Sequence, residues 1–292
     1  MQMYGLLFAI ILITGANQVF NKIFSRAYSD NLPSMFLCGA IWSGGGAAVY
    51  FITCLMSGAS LRFPPEVILL AMVGAACFAF CNFCLYLAMA EGPLSVCMMF
   101  ATAAMAIPCL LGPVIFNETI DVKRGIALII LFLALFLVVY EKREADKKFS
   151  LKFLSFASLV FLLNGMAMVV QKLQPFRYPE FSAAQFSVLM FGGASVLNLM
   201  MLLICRALGQ KRKPITVKAF MLPCICTGVC ICAANQLSML ASRHVEAAVQ
   251  YPVQTGGLLV VTTLYSALVL REKTNLRKWI GLCMIVVSII FL

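Results

Sequence analysis

The residues best suited to binding a small solute in this chain are amides and hydroxyls that lie inside long apolar runs. Asn17 and Asn21 are four residues apart, as are Gln250 and Gln254, so each pair shares one face of a helix. Amides and hydroxyls both donate and accept hydrogen bonds, which suits the recognition of a polar solute. The candidate substrate-binding residues are Asn17, Asn21, Asn82, Tyr86, Thr102, Asn164, Gln171, Asn235, Gln250, Tyr251 and Gln254.

A structural role is the alternative for every one of these side chains. Hydrogen bonds between membrane helices contribute only about 0.6 kcal/mol on average, so polar residues can join helices without contacting any substrate. We expect Asn82, Asn235 and Gln254 to contact the substrate most directly. Asn117 and Asn198 are expected to be structural or interfacial.

The centres of the apolar runs lack the groups that an enzyme would need. No Asp or Glu lies there, and the single histidine, His244, lies in a short polar turn. Chemistry at membrane depth requires a nucleophile with its base, or paired carboxylates. The sequence therefore argues against an enzyme. It predicts no cofactor, and the clustered cysteines are interpreted as packing residues rather than metal ligands.

Four charged residues lie at the ends of apolar runs. Lys22 and Lys172 could attract an anionic solute, but a lysine near a helix end more often extends its ammonium group to the membrane interface, and we expect this of both. Glu118 and Glu272 are expected to cap or tether helix ends rather than to carry protons.

The elements that must position these residues are membrane-spanning helices. Of the 292 residues, 63% are hydrophobic and only 11% are charged, whereas a soluble protein has about 25% charged residues. The mean hydropathy is +0.99. This composition excludes a soluble domain, a disordered chain and a disulfide scaffold. The predicted spans are Met3–Phe24, Pro33–Met56, Glu66–Ala90, Leu94–Phe116, Val122–Tyr140, Leu151–Gln171, Phe181–Cys205, Ala219–Ser242, Ala247–Leu270 and Leu276–Leu292.

The basic residues fall between the spans and are divided unequally between the two sides of the membrane. Sixteen Lys and Arg lie on one side and six on the other, and the richer side is predicted to be cytoplasmic, which places both termini outside. Short basic clusters of this kind contact anionic lipid. The net charge of +11 is therefore no indication of nucleic-acid binding.

The two halves of the chain resemble each other. At an offset of 153 residues Asn82 matches Asn235 and Thr102 matches Thr255, and at 154 residues Glu118 matches Glu272. Five spans in each half require opposite orientations in the membrane. The prediction is an all-α membrane protein of ten transmembrane helices arranged as two inverted five-helix repeats, residues 1–145 and 146–292. Inverted repeats place a substrate site near the midplane and support alternating access.

The pattern resembles the ten-helix EamA-type branch of the drug/metabolite transporter superfamily. The resemblance covers the whole chain, and its most specific parts are Asn117-Glu118-Thr119 and Arg271-Glu272-Lys273, each between the fourth and fifth helix of its half. The segment from Leu85 to Leu94 is similar to the family's turn between helices 3 and 4. The chain departs from the family in lacking glycine before both glutamates. The resemblance implies transport of small metabolites or drugs and a central cavity lined by helices 1, 3, 4, 6, 8 and 9. It also implies cytoplasmic termini, which is the opposite of the orientation that the charge count predicts.

The expected function is secondary transport of a small organic metabolite, such as an amino acid, in the direction of export. A carboxylate-free candidate cavity suits a neutral or anionic solute, although Tyr86 and Tyr251 keep a multidrug or quaternary-amine transporter as an alternative. A non-transporting membrane scaffold or receptor is the alternative from another class. The expected location is a bacterial plasma membrane, and the expected partners are a small-molecule substrate and the lipid bilayer, with a homodimer left open.

Overall fold

The computed structural model of the protein describes residues 2–28, 30–91, 94–119, 121–139, 150–268 and 276–291. Within these ranges every regular element is helical, which confirms the predicted all-α class. A short π-helix, Val217–Met221, precedes α9. The α-helices are α1 (Gln2–Tyr28), α2 (Leu32–Met56), α3 (Pro65–Glu91), α4 (Leu94–Ala103), α5 (Ala106–Ile115), α6 (Val122–Val139), α7 (Leu151–Arg177), α8 (Ala183–Ala207), α9 (Leu222–Ala241), α10 (Ala247–Leu268) and α11 (Leu276–Phe291).

Several of these helices have the length and apolar composition that crossing a membrane requires. Within the described residues, five helical segments meet that standard, and they indicate a membrane-embedded protein. The other apolar helices of the described part are shorter. The total of ten spans and their inverted arrangement stay predictions. The five segments are Leu32–Met56, Pro65–Leu85, Leu151–Arg177, Ala183–Ala207 and Val217–Ala241.

The predicted fourth span is divided into two helices. The break lies at Ala104 and Met105, four and three residues before Pro108. Proline has no N–H to donate and its ring crowds the carbonyl four residues earlier, which here belongs to Ala104. The backbone turns more tightly at this point, with Ile107 N–H donating to Ala104 O at 3.0 Å. Pro113 and Pro252 lie inside α5 and α10.

Contacts divide the chain into two compact units, and each draws on both halves of the sequence. Unit 1 comprises the described parts of Met1–Gly15, Cys81–Val169 and His244–Leu292. Unit 2 comprises the described parts of Ala16–Phe80 and Val170–Arg243. Contacts define these units, whereas sequence similarity defines the predicted repeats, so the division at residues 145 and 146 stays a prediction.

Unit 2 is built on close packing of α2 against α8 and α9. A Cβ atom added at Gly44 would lie 2.9 Å from Ser195 Oγ, and one added at Gly228 would lie 3.1 Å from Trp42 Cβ. Ser195 Oγ donates to Ala40 O across the same interface at 3.0 Å. Small residues let membrane helices approach closely, and Gly44 and Gly228 have this role here.

Unit 1 is centred on α6, α10 and α11. Its fully buried side chains include Leu131 of α6, Tyr251 of α10 and Ile285 of α11, which pack in one apolar cluster. Ser288 Oγ of α11 donates to Ala127 O of α6 at 2.6 Å. Packing of apolar side chains and one buried hydroxyl bond therefore holds these three helices together.

The start of α10 is capped by a side chain from the end of α5. Both carboxylate oxygens of Glu118 accept from the Ala247 N–H, at 3.0 and 2.9 Å. The first N–H groups of a helix have no partner within the helix, and a carboxylate also complements the helix dipole. The expectation that Glu118 tethers a helix end is thus confirmed. Glu272 lies outside the described residues.

Replacing Glu118 by alanine is expected to destabilise unit 1. Loss of an N-terminal cap costs about 0.5–2 kcal/mol, because the Ala247 N–H would be left without its acceptor. The measurement is thermal unfolding of the purified protein in detergent. Glu180→Ala is the control, since Glu180 is an exposed carboxylate in the turn after α7. Equal melting temperatures for the two variants would contradict the capping role.

A second polar junction ties the turn after α1 to the segment before α9. Asn31 Oδ1 accepts from the Ser34 N–H at 3.0 Å and so caps α2, while its amide donates to Lys211 O. The Lys213 ammonium donates to both oxygens of Asp30, at 2.6 and 2.8 Å. This hydrogen bond holds the pKa of the Asp30 carboxyl below its ordinary value of 3.8.

The Asp30 junction predicts a pH-dependent stability difference. A carboxylate whose pKa is lowered by folding stabilises the protein above its ordinary pKa, and this contribution disappears as the pH falls through the lowered value. Thermal unfolding should show the wild type more stable than Asp30→Asn near neutral pH, with a small difference because the pair is exposed. The difference should shrink as the pH falls below 3.8 and disappear once the pH is below the lowered pKa. A difference that does not shrink below pH 3.8 would contradict the prediction.

Candidate functional site

The predicted site residues are distributed between the two units. Unit 2 contains Asn17, Asn21, Gln171 and Asn235. The side chain of Tyr86 lies outside the described residues. Unit 1 contains Asn82, Thr102, Asn164, Gln250, Tyr251 and Gln254.

A chain of hydrogen bonds in unit 2 joins two of the predicted residues to each other. Gln171 Nε2 of α7 donates to Asn235 Oδ1 of α9 at 3.0 Å. Asn235 Nδ2 in turn donates to Ser187 Oγ of α8 at 3.0 Å. Asn235 is 5% exposed and Ser187 is fully buried. We call Gln171, Ser187 and Asn235, together with Tyr50, the polar cluster.

Tyr50 brings the polar cluster into contact with α2. Its hydroxyl donates to Cys232 O, one turn before Asn235 on α9, and it also interacts with the Asn235 and Ser187 side chains. Neither Tyr50 nor Ser187 was predicted from the sequence. Ser187 has no polar residue three or four positions away, and Tyr50 has only Thr53, so helical spacing did not single out either residue.

The polar cluster lies toward one end of its helices. Gln171 and Asn235 are each six residues before the end of their helices, and Ser187 is the fifth residue of α8. At 1.5 Å per residue this places the cluster about 9 Å from those helix ends. The predicted substrate site at the midplane of the membrane is a different position from the polar cluster, and it stays a prediction.

One predicted residue of α1, Asn21, contacts α9. Asn21 Oδ1 accepts from Thr227 Oγ1 at 3.3 Å, and Tyr28 packs edge to face on Phe220. In these contacts the residue numbers of α1 increase while those of the segment leading into and through α9 decrease, so the two helices are antiparallel. Asn17 lies one turn before Asn21 on α1. Because α9 runs in the opposite direction, Asn17 is level with a position of α9 about one turn before Asn235. The oxygen Asn17 Oδ1 is buried and has no hydrogen-bond partner.

Aromatic rings lie next to the polar cluster. Phe191, one turn after Ser187 on α8, packs against Tyr50, Trp42 and Phe78, with ring centroids 5.5, 5.9 and 6.1 Å away. A narrow apolar gap lies between Trp42, Phe78, Phe191 and Met190. It does not admit a water molecule, so the rings form an apolar wall beside the cluster.

In unit 1, two predicted site residues bind the backbone of neighbouring helices. Asn164 Nδ2 donates to Ala101 O at 2.8 Å, just before the break between α4 and α5. The Tyr251 hydroxyl donates to Met168 O at 2.7 Å. These contacts match the structural alternative, in which polar side chains join helices. Gln250 is fully buried, whereas Asn82 and Gln254 are half-buried.

The side chain of Lys172 does not lie where the sequence predicted. We expected its ammonium group to reach the membrane interface, but the side chain is only 4% exposed. The chain after α7 folds back over the end of that helix, where Gln174 Nε2 donates to Tyr178 O at 3.2 Å and to Phe181 O at 2.9 Å. Arg243 donates to the same Phe181 oxygen. The Lys22 side chain lies outside the described residues.

Comparison with known proteins shows the fold alone. No family model and no curated protein matches the chain. Twenty-eight chains of solved structures do match. One of them, described only as the crystal structure of a protein, has a TM-score of 0.76 over 99% of this chain and 96% of its own, with 14% sequence identity. At this identity the likeness establishes a shared fold, and any statement about activity has to come from the residues described above.

Proposed function

We propose that this protein is a secondary transporter of a small polar organic solute, of the amino-acid type, in the plasma membrane of a bacterium. The observation that carries the proposal is the polar cluster, a set of joined amides and hydroxyls within apolar helices. Buried polar groups are costly in a membrane and usually serve a function. The amides can exchange their mutual hydrogen bonds for bonds to a solute of similar polarity.

The proposed family is the EamA-type branch of the drug/metabolite transporter superfamily. Its support is the sequence resemblance at Glu118 and Glu272, together with the repeat of the two halves. Export by alternating access follows from that resemblance and from the predicted inverted repeats. Membership of this family also implies that the energy comes from a gradient rather than from chemistry within the chain.

A second candidate, transport of quaternary amines, is favoured by the aromatic wall. Trp42, Tyr50 and Phe191 pack together beside the polar cluster, and the faces of aromatic rings attract cations of this type. In the described structure these rings pack against one another, so a quaternary amine would have to separate them. We therefore place this candidate second.

Transport by the purified protein in liposomes tests the proposal. Three labelled pools are offered, one each of amino acids, nucleobases and quaternary amines, with and without a pH gradient. We expect selective flux of the amino-acid pool, and a reduction of about tenfold or more in a variant with Gln171→Ala and Asn235→Ala, because one lost hydrogen bond is worth about 1.4 kcal/mol.

Asn198→Ala is the matched control for that variant. Asn198 is a buried amide of unit 2 that bonds Ala194 O within α8, away from the polar cluster. The amino-acid flux of Asn198→Ala should stay within about twofold of the wild-type flux. This change is much smaller than the roughly tenfold loss expected when one hydrogen bond to the solute is removed. Flux of the quaternary-amine pool alone would favour the second candidate. Absence of flux for all three pools, with folded protein confirmed, would overturn the transporter and favour a scaffold or receptor.

A further inference from the structure

A buried lysine directly follows the polar cluster in the chain. Lys172 is next to Gln171 on α7, and among the residues whose burial the structure describes it is the sole ionised side chain in the buried class. Charged side chains inside membrane helices are rare, and they commonly mark the path of a substrate or ion. Lys172 is therefore a candidate for contact with the transported solute.

The position of Lys172 makes its burial informative. It lies five residues before the end of α7, about 7.5 Å along the axis, where a lysine stem can normally carry its ammonium group to the interface. In the structure the side chain instead remains 96% covered. Keeping a charge inside is costly, so a function that needs a cation at this position is the physical explanation that we favour.

Unpaired hydrogen-bond acceptors lie in the same unit. Asn17 Oδ1 of α1 and Gln236 Oε1 of α9 are buried oxygens without a hydrogen-bond partner, and Asn17 is only 6% exposed. Gln236 is next to Asn235, and Asn17 is about one turn from the level of Asn235. A carbonyl oxygen in this state needs a donor, and a primary ammonium group supplies three.

We propose that Lys172 binds the carboxylate of a zwitterionic amino carboxylate, and that Asn17 and Gln236 accept hydrogen bonds from its ammonium group. The lysine supplies the cation for one end of such a solute and the two amide oxygens supply acceptors for the other. This inference rests on the proposed function and narrows its substrate to solutes that carry both charges. It adds Lys172 and Gln236 to the candidate binding residues.

Counterflow in liposomes with three related probes tests the assignment. Leucine carries both charges, leucinamide lacks the carboxylate, and isocaproate lacks the ammonium group. We expect the wild type to move leucine about tenfold or more faster than leucinamide, since a charge-assisted hydrogen bond is worth at least 1.4 kcal/mol. Lys172→Gln should abolish this preference while leaving leucinamide flux within about twofold, and Lys172→Arg should retain part of it.

Two further variants separate the two ends of the solute and control for folding. Asn17→Leu should reduce leucine flux about tenfold while isocaproate flux changes little, because only leucine has an ammonium group to lose. Lys152→Gln removes an exposed lysine from the same helix and should leave all three fluxes unchanged. The leucinamide flux serves as an internal reference for the amount of folded Lys172→Gln.

The outcomes distinguish the inference from the proposed function. Equal leucine preference in wild type and Lys172→Gln would overturn the role of Lys172. Transport of leucinamide, nucleobases or quaternary amines without any amino carboxylate would also overturn it, while the transporter proposal would stand. Absence of flux for every probe and pool, with folded protein, would overturn both.

Discussion

Gly165→Ala is expected to destabilise the protein by about 2–3 kcal/mol, in the upper part of the range for overpacked helix contacts. A Cβ atom at this position of α7 would lie 2.7 Å from Ile107 Cβ and 2.8 Å from Ala104 O. Ala104 O is backbone at the break between α4 and α5, and Ile107 Cβ is fixed to backbone, so neither can move as a flexible side chain would. The measurement is the free energy of unfolding in detergent or bilayer.

Gly45→Ala is the matched control for this substitution. Gly45 also lies within a helix, but a Cβ atom there would meet nothing within 4 Å. Alanine is a better helix former than glycine by about 1 kcal/mol, so Gly45→Ala should be neutral or stabilising. Equal stability of the two variants would show that α7 does not pack on the break as closely as the structure has it.

Asn235→Leu is expected to show the second large effect, a loss of about 1–3 kcal/mol in the free energy of unfolding. The substitution removes the acceptor of Gln171 and the donor to Ser187, which is fully buried. Both partners would be left without this bond in an apolar surrounding. Truncating one member of a buried pair costs more than the bond itself contributes, because the other member keeps its desolvation penalty.

A double-mutant cycle with Gln171→Leu isolates the bond between the two amides. Because the second substitution removes a group that the first left unpaired, the double variant should cost less than the sum of the single variants. The difference is expected to be about 0.6–1.7 kcal/mol, as for other hydrogen bonds between membrane helices. Additive losses would show that the Gln171–Asn235 bond contributes nothing to stability and would weaken the case for a joined polar cluster.

Two roles that follow from residue type were predicted. Glu118 was expected to tether a helix end, and it caps α10. Asn198 was expected to be structural or interfacial, and it bonds the backbone of its own helix. A carboxylate suits the free N–H groups at a helix start, and an asparagine can bond the carbonyl four residues before it. Which helix Glu118 caps was not predictable, because Ala247 lies 129 residues further along the chain.

Predictions that depended on neighbours from elsewhere in the chain fared less well. The predicted fourth span, Leu94–Phe116, is divided three to four residues before Pro108, with Gly165 of α7 packed against the break. Lys172 was expected at the interface and is buried. Tyr50 and Ser187 were missed, since only contact with Asn235 gives them a role.

The sequence by itself determined that this is an all-α, membrane-embedded protein. Apolar runs of about 20 residues must satisfy their backbone hydrogen bonds internally in lipid, and the helix does so without any partner. Helical spacing likewise determined which polar residues share a face. Spacing carries no information about the residue on the facing helix, however. The tertiary structure alone decided that Gln171 meets Asn235, 64 residues away, and that Lys172 is covered, because both depend on how separate helices pack.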